Sequence, residues 1–187
     1  MACPHIFISK SILLKYNKIF KIFFHKYQFL KEKNMPTPQA LEIKVDLQIQ
    51  KQADAVFDAI VDPEKMTNYF ISQSSGRIEE GKTLTWKFPE FDEEFPIRVS
   101  KIKKDKYISY YWETEGKELL VEIKLSPQEN NSTLVTVTEK SMKNDKSGIS
   151  WLQGNTEGWA NFLACLKAYI EHGINLRKGA FDFLRKK

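Results

Sequence analysis

The sequence predicts an α+β fold in which a curved antiparallel sheet wraps a long C-terminal helix, with two short helices after the first strand. Three observations carry that expectation. Apolar and polar residues alternate in a run at 41–49 and in five further runs between 84 and 137, which is the period of a half-buried strand. The links between those later runs are short and turn-like, whereas parallel neighbours need crossovers of about a dozen residues or more. One broad apolar stripe at helical spacing follows, and an amphipathic helix beside a single sheet must cover a face of it.

The elements follow in order. Pro36 and Pro38 give an extended lead-in. Leu41, Ile43, Val45, Leu47 and Ile49 alternate with Glu42, Lys44, Asp46 and Gln48 as the first strand. Ala53, Val56, Phe57, Ile60 and Val61 then recur at helical spacing, so 51–61 reads as an amphipathic helix. Asp62-Pro63, a capping residue before proline at the first helical position, starts a second short helix through Phe70. Gly76 and Gly81 bracket a turn. The inward positions of the later strands are Leu84, Trp86 and Phe88, then Phe95, Ile97 and Val99, then Ile108, Tyr110 and Trp112. Leu119, Val121, Ile123 and Leu125 continue the series, and Val135 and Val137 close it. A polar loop runs to about Ser150, after which Thr156 is the candidate N-cap of the long helix and Glu157 suits its first turn. The stripe is Trp159, Phe162, Leu163, Leu166, Tyr169 and Ile170, ending at Gly173.

Charge divides the chain. Its 187 residues carry a formal +5, but residues 1–34 hold seven lysines and one acid, leaving 22 basic and 23 acidic residues in 35–187. The second part is expected to be a single near-neutral domain, without the basic footprint of a nucleic-acid binder. Residues 1–34 admit three readings. Phe, Tyr, Ile, Asn and Lys, the residues of A/T-only codons, make up 21 of the 34, which favours translated upstream sequence with the start at Met35. The other two are a disordered tail and a membrane-surface or targeting helix. No apolar run approaches the roughly 18 residues of a spanning helix, so stable membrane insertion is not expected. Cys3 and Cys165 fall in different parts with no metal-like spacing, which suits a reducing cytosol.

Little in the domain points to chemistry. The inward strand positions are apolar or aromatic with no Asp, Glu, Lys or Arg among them, so acid–base catalysis would rest on Tyr110 or a rim carboxylate such as Glu113. His172, the domain's one histidine, sits near a helix end, where an imidazole offsets the dipole. No catalytic residue, metal or cofactor is expected. The aromatic residues are the candidates: Tyr69, Phe70, Trp86, Phe88, Phe95, Tyr110, Trp112, Trp159 and Phe162, with Trp151 in the same set. Each either fills the core or walls a gap between helix and sheet. A mostly apolar pocket with a few polar tips suits a small hydrophobic or aromatic ligand.

The stretches VFDAIVDPEKMTNYF at 56–70, GKTLTWKFPEF at 81–91, YISYYW at 107–112 and EGWANFLACLKAYIEHGINLR at 157–177 carry a family resemblance. Their order and spacing resemble the activator of heat-shock-protein-90 ATPase (AHSA-type) family of the START-like (Bet v 1-like, SRPBCC) superfamily. The resemblance covers about 40–180 and departs at Ser141-Met142-Lys143, where relatives often carry a Gly-aromatic pair. It implies the helix-grip fold. For function it implies a noncatalytic binder of a lipid-like or polyketide-like molecule, with two alternatives: a chaperone ATPase activator or other protein-binding module, and a polyketide cyclase-type enzyme. The fold alone does not choose among them.

Overall fold

The alternation at 41–49 becomes an edge strand, and the sheet grows from it. The computed structural model describes residues 40–114 and 116–185; the basic segment 1–34, the start at Met35 and the proline lead-in lie outside these residues. In order come β1 (Leu41–Ile49), α1 (Ala53–Val61), α2 (Pro63–Met66), β2 (Gln73–Ser74), β3 (Thr83–Lys87) and β4 (Glu94–Lys103). Then follow β5 (Tyr107–Thr114), β6 (Lys117–Gln128), β7 (Ser132–Met142), α3 (Lys146–His172) and a 3-10 turn at Asp182–Leu184. The strands form one antiparallel sheet in the order β1-β7-β6-β5-β4-β3-β2. The first strand therefore lies beside the last, with Val45 opposite Val137 and Ile49 opposite Thr133.

Local chemistry explains the joints. Between β6 and β7, Asn130 and Asn131 hold φ at 59° and 55°. The three residues 129–131 link the paired ends Gln128 and Ser132, and asparagine tolerates the left-handed conformation that this tight hairpin loop requires. Asp62 caps α2 as expected, its carboxylate accepting the Glu64 N–H at 3.0 Å. The helix is shorter than the sequence suggests, and the chain turns through Thr67–Phe70. β2 was not expected, since two residues on a sheet edge carry no readable period.

The larger correction concerns α3, which begins at Lys146, ten residues before the expected cap. Asp145 is the true N-cap, accepting the Gly148 N–H at 3.0 Å. A Cβ built on Gly148 would meet the Lys143 carbonyl oxygen at 1.9 Å, so only glycine lets the chain fold back this tightly before the helix. The first turns look like loop in the sequence because they are polar and bury only Gly148 and Trp151. Thr156 sits mid-helix, its hydroxyl donating to the Leu152 carbonyl. The far end is as expected: Gly173 adopts φ 68° and donates its N–H to Tyr169 O at 2.8 Å.

α3 lies in the grip of the sheet, with Trp159, Phe162, Leu163 and Leu166 buried in the same core as Ile97, Tyr110, Val121 and Val137. Its C-terminal half is tied to the end of β1. There the Gln50 N–H donates to Glu171 Oε1 at 2.6 Å, and Lys167 Nζ donates to Gln48 O at 3.0 Å. In the other half of the helix Trp151 and Trp159 remain buried, whereas Gly154 and Gly158 are exposed.

Candidate functional site: an aromatic cavity with a buried carboxylate

Beside Gly154 and Gly158, a cavity of about 470 Å³ opens between the β3–β4 connection, β4, β5, the helix and the segment that follows it. Five of the nine expected aromatic residues line it: Phe70, Phe88, Phe95, Trp112 and Trp159. Their rings contact one another edge-on or tilted, with Phe70 and Phe88 at 5.3 Å and Trp112 and Trp159 at 5.3 Å between centroids. The other four lie in the core behind this wall. Tyr69 donates its hydroxyl to Ala59 O at 3.0 Å, Phe162 packs on Phe70 at 4.7 Å, and Trp86 meets Tyr110 at 5.3 Å. Trp151 is buried too and does not line the cavity.

The expectation of an inward face free of charge is overturned by Glu139 on β7, which is 0% exposed. It is the next inward step after Val135 and Val137, so extending the alternation by one position would have found it. Its carboxylate gathers three neutral donors. Trp112 Nε1 binds Oε1 at 2.8 Å, Trp159 Nε1 binds Oε2 at 2.7 Å, and Asn155 Nδ2 reaches both at 3.3 and 3.2 Å. All three partners donate, which matches the acceptor-only character of a carboxylate. One residue of the last strand thus fixes the indoles of β5 and α3 that form a corner of the cavity.

The opposite wall comes from beyond the long helix. Arg177, Phe181 and Leu184 line the cavity, and Arg177 Nη2 pairs with Glu90 Oε2 at 2.6 Å. The two side chains are 16% and 3% exposed, so this is a largely dehydrated ion pair. The guanidinium also lies 4.8 Å from the Phe181 ring centroid and 5.7 Å from that of Phe88. Glu113, Thr114, Asn155 and Asn161 supply polar groups at the margin. Glu90, Arg177, Asn155 and the two helical glycines were not among the expected site residues. A carboxylate inside the apolar run Phe88–Phe91 and a glycine, Gly158, within the expected long helix were the available signals.

Burial sets the titration of the inner tyrosines. Desolvation holds Tyr69 and Tyr110 well above the usual phenol value, and the Glu139 charge adds to the effect at Tyr110. Burial likewise pushes the Cys165 thiol up, opposed by Arg177, so it is an unreactive neutral thiol. His172 is exposed at the helix end beside Glu171, away from the cavity lining. Among the described residues no cluster of His, Cys, Asp and Glu has the makings of a metal site. No helix among them is long and apolar enough to cross a membrane.

Comparison with known proteins agrees with this architecture. Among curated proteins none matches the chain. Among solved structures, protein SSP2350 from Staphylococcus saprophyticus is 34% identical with a TM-score of 0.65, over 73% of this chain and 96% of that one. The Aha1 dimer from Colwellia psychrerythraea is 18% identical with a TM-score of 0.62, over 71% of this chain and 98% of that one. DynU16, a protein in the dynemicin biosynthetic locus, is 22% identical with a TM-score of 0.62, over 71% of this chain and 48% of that one. The last two likenesses speak to the fold alone. The sequence profile of the family described as Activator of Hsp90 ATPase homolog 1-like protein matches residues 50–171. With the grip fold, the cavity and this match together, the chain belongs to the activator of Hsp90 ATPase homolog 1-like family, within the Bet v 1-like (SRPBCC) superfamily.

Proposed function

We propose that this protein binds a small hydrophobic or aromatic molecule in the cavity between sheet and helix, without transforming it. The observation that carries the reading is the pairing of empty space with helical glycine. Gly154 and Gly158 line the cavity one turn apart, and a Cβ built on either meets no atom within 4 Å. Glycine inside a helix costs about 0.5–1 kcal/mol relative to alanine. No close approach of backbone or side chain requires either one, and both are exposed, so they leave the helix side of the cavity mouth unobstructed. The volume of about 470 Å³ falls inside the roughly 300–1,000 Å³ of ligand sites. Noncatalytic binding is favoured because the carboxylate of Glu139 is engaged by two indoles and an amide rather than presented as a base.

Filling the space tests the reading. Gly158→Leu is expected to retain the fold and thermal midpoint while losing the fluorescence enhancement of 1-aminoanthracene and any small molecule carried through purification, seen by native mass spectrometry. Uptake unchanged in Gly158→Leu, or no uptake by the parent protein, would refute it.

A second reading, activation of a chaperone ATPase, is supported by the family match and by apolar side chains exposed after α3. Leu176, Leu184 and Phe183 are 50%, 46% and 78% exposed. It predicts stimulation of a reconstituted Hsp90-type ATPase that Gly158→Leu leaves intact and Phe183→Ser weakens.

A further inference from the structure

We infer that the cavity selects a neutral molecule carrying a carbonyl-type acceptor, a ketone or an amide, on an apolar or aromatic body, with Arg177 as the donor that receives it. The inference rests on the ligand-binding reading above and deepens it by naming the polar group of the ligand and the residue that reads it.

Two observations point to an acceptor. Several buried side-chain nitrogen and oxygen atoms lack a hydrogen-bond partner among the described residues, and Arg177 Nε is the one that belongs to a residue lining the cavity. A guanidinium has five N–H donors and no acceptor. Glu90 Oε2 accepts from Nη2 at 2.6 Å, which leaves the Nε–H untouched. That donor is shut off from water, and a buried donor is costly to leave unmet. No group of the chain meets it, so the acceptor has to come with the occupant of the cavity. The second observation is Asn161. It lines the cavity three residues past Gly158 and makes no hydrogen bond among the described residues, so its amide offers two further donors. The Arg177 charge is felt at the Cys165 thiol, and Cys165 follows Asn161 by one turn of α3. Amide and guanidinium therefore belong to the same end of the cavity.

Charge balance makes that acceptor a neutral one. Arg177 and Glu90 already answer each other in a largely dehydrated pair, so this end offers donors without net positive charge. A carboxylate ligand would meet the Glu90 carboxylate along with the guanidinium, and would lose its own hydration on entering. Glu139, held by neutral donors behind the Trp112–Trp159 corner, adds to the penalty. An ammonium ligand would bring more donors to a guanidinium that lacks an acceptor. Glu113 does not alter this balance: Trp112 packs inward, so the alternation of β5 sends the next side chain to the outer face, opposite Glu118. A carbonyl oxygen satisfies the guanidinium without adding charge, while Phe70, Phe88 and Trp159 take the apolar body.

The test compares three naphthalenes of similar shape: 2-acetylnaphthalene, its hydrocarbon isostere 2-isopropenylnaphthalene, and the anion 2-naphthoate. Binding is measured by displacement of 1-aminoanthracene and by ligand-observed NMR. The ketone is expected to bind about tenfold more tightly than the hydrocarbon, with the anion weaker than the ketone. Arg177→Met combined with Glu90→Leu removes donor and counter-charge together. It is expected to bring ketone and hydrocarbon within about twofold of each other while the hydrocarbon still binds, with circular dichroism confirming the fold. Arg177→Lys, which keeps the charge beside Glu90 but not the Nε–H, should narrow the ketone-to-hydrocarbon ratio by about threefold, and Asn161→Ala by a similar factor. If the hydrocarbon binds the parent protein as tightly as the ketone, the acceptor preference is wrong while the ligand-binding reading stands. If the anion binds most tightly, the neutral ligand is overturned. A ketone preference that survives both Arg177 variants removes Arg177 from the role. If none of the three binds, both readings fall.

Discussion

Glu139→Gln is the sharpest single probe of the site. The substitution keeps the side chain's shape but replaces one carboxylate oxygen by an NH2 group. Trp112 and Trp159 each claim a different oxygen, at 2.8 and 2.7 Å. The amide satisfies one indole and confronts the other with a donor, whichever way it is turned. A hydrogen bond to a charged acceptor contributes about 1.5–3 kcal/mol, and a buried donor left unpaired costs a further ~1–3 kcal/mol. Removing a fully buried charge offsets part of this. A net loss of about 2–3 kcal/mol is expected, which for a domain of this size lowers the thermal midpoint by roughly 6–9 °C. Urea unfolding followed by tryptophan fluorescence gives the number directly. A double-mutant cycle of Glu139→Gln with Trp159→Phe then isolates the shared bond, with a coupling energy of about 1–2 kcal/mol. A stability change under about 0.5 kcal/mol together with zero coupling would refute the argument that this carboxylate pins the two indoles.

Other substitutions and conditions extend the test. Gly148→Ala should destabilise by about 2–3 kcal/mol, because its Cβ would meet the Lys143 carbonyl at 1.9 Å, and hydrogen exchange should speed up at 146–150; unchanged protection there would count against the tight start to α3. Arg177→Met strands the buried Glu90 carboxylate and should cost roughly 3 kcal/mol, with Glu90→Leu in the same chain recovering most of it; a double variant no better than the single would contradict this. On the acid side, Lys140 and then Tyr107 hold Glu122 below the ordinary 4.5, and Arg77 and Lys65 hold Asp58 below 3.8. Depressed folded values mean that the unfolded chain takes up protons first, so urea midpoints should fall as pH drops below about 4.5. Glu122→Gln should flatten that slope, and an equally steep slope in the variant would remove Glu122 from the account. On the alkaline side, Tyr69 and Tyr110 are held above 10.0, so stability should decline as pH rises past that value. Their ionisation, followed by absorbance at 295 nm, should coincide with unfolding; titration in the folded protein would be the contrary result.

The period-2 and period-3.6 patterns found the six long strands and the body of α3, because burial on one face leaves a regular trace in the sequence. Turn chemistry found the Asp62 cap and the Gly173 stop for the same kind of local reason. What escaped was set by contacts distant in sequence or by polar exceptions. Lys146–Ser150 is helical because Gly148 can nestle against Lys143, which no periodicity reveals. Glu139 was missed because a charged residue on an inward step looks like the end of a strand, yet donors on β5 and α3 satisfy it. Within the aromatic set, sequence did not separate Phe70, Phe88, Phe95, Trp112 and Trp159 from Tyr69, Trp86, Tyr110 and Phe162. All nine are apolar-face positions, and which of them line space depends on how the helix, the β3–β4 connection and the segment after the helix meet in three dimensions.

The fold is complete at Gly173, but the cavity is not. Every strand and all of α3 precede that residue, and the family match itself ends at 171, whereas Arg177, Phe181 and Leu184 form a wall of the site. One wall of the binding space is therefore supplied from beyond the strands and the long helix, while the other walls are the core elements themselves. Substitutions between 174 and 185 could remodel the ligand spectrum at little risk to the scaffold, provided that Glu90 keeps a partner. Two proteins sharing this grip almost residue for residue could thus differ in what they hold, through a dozen residues that lie outside the matched family segment.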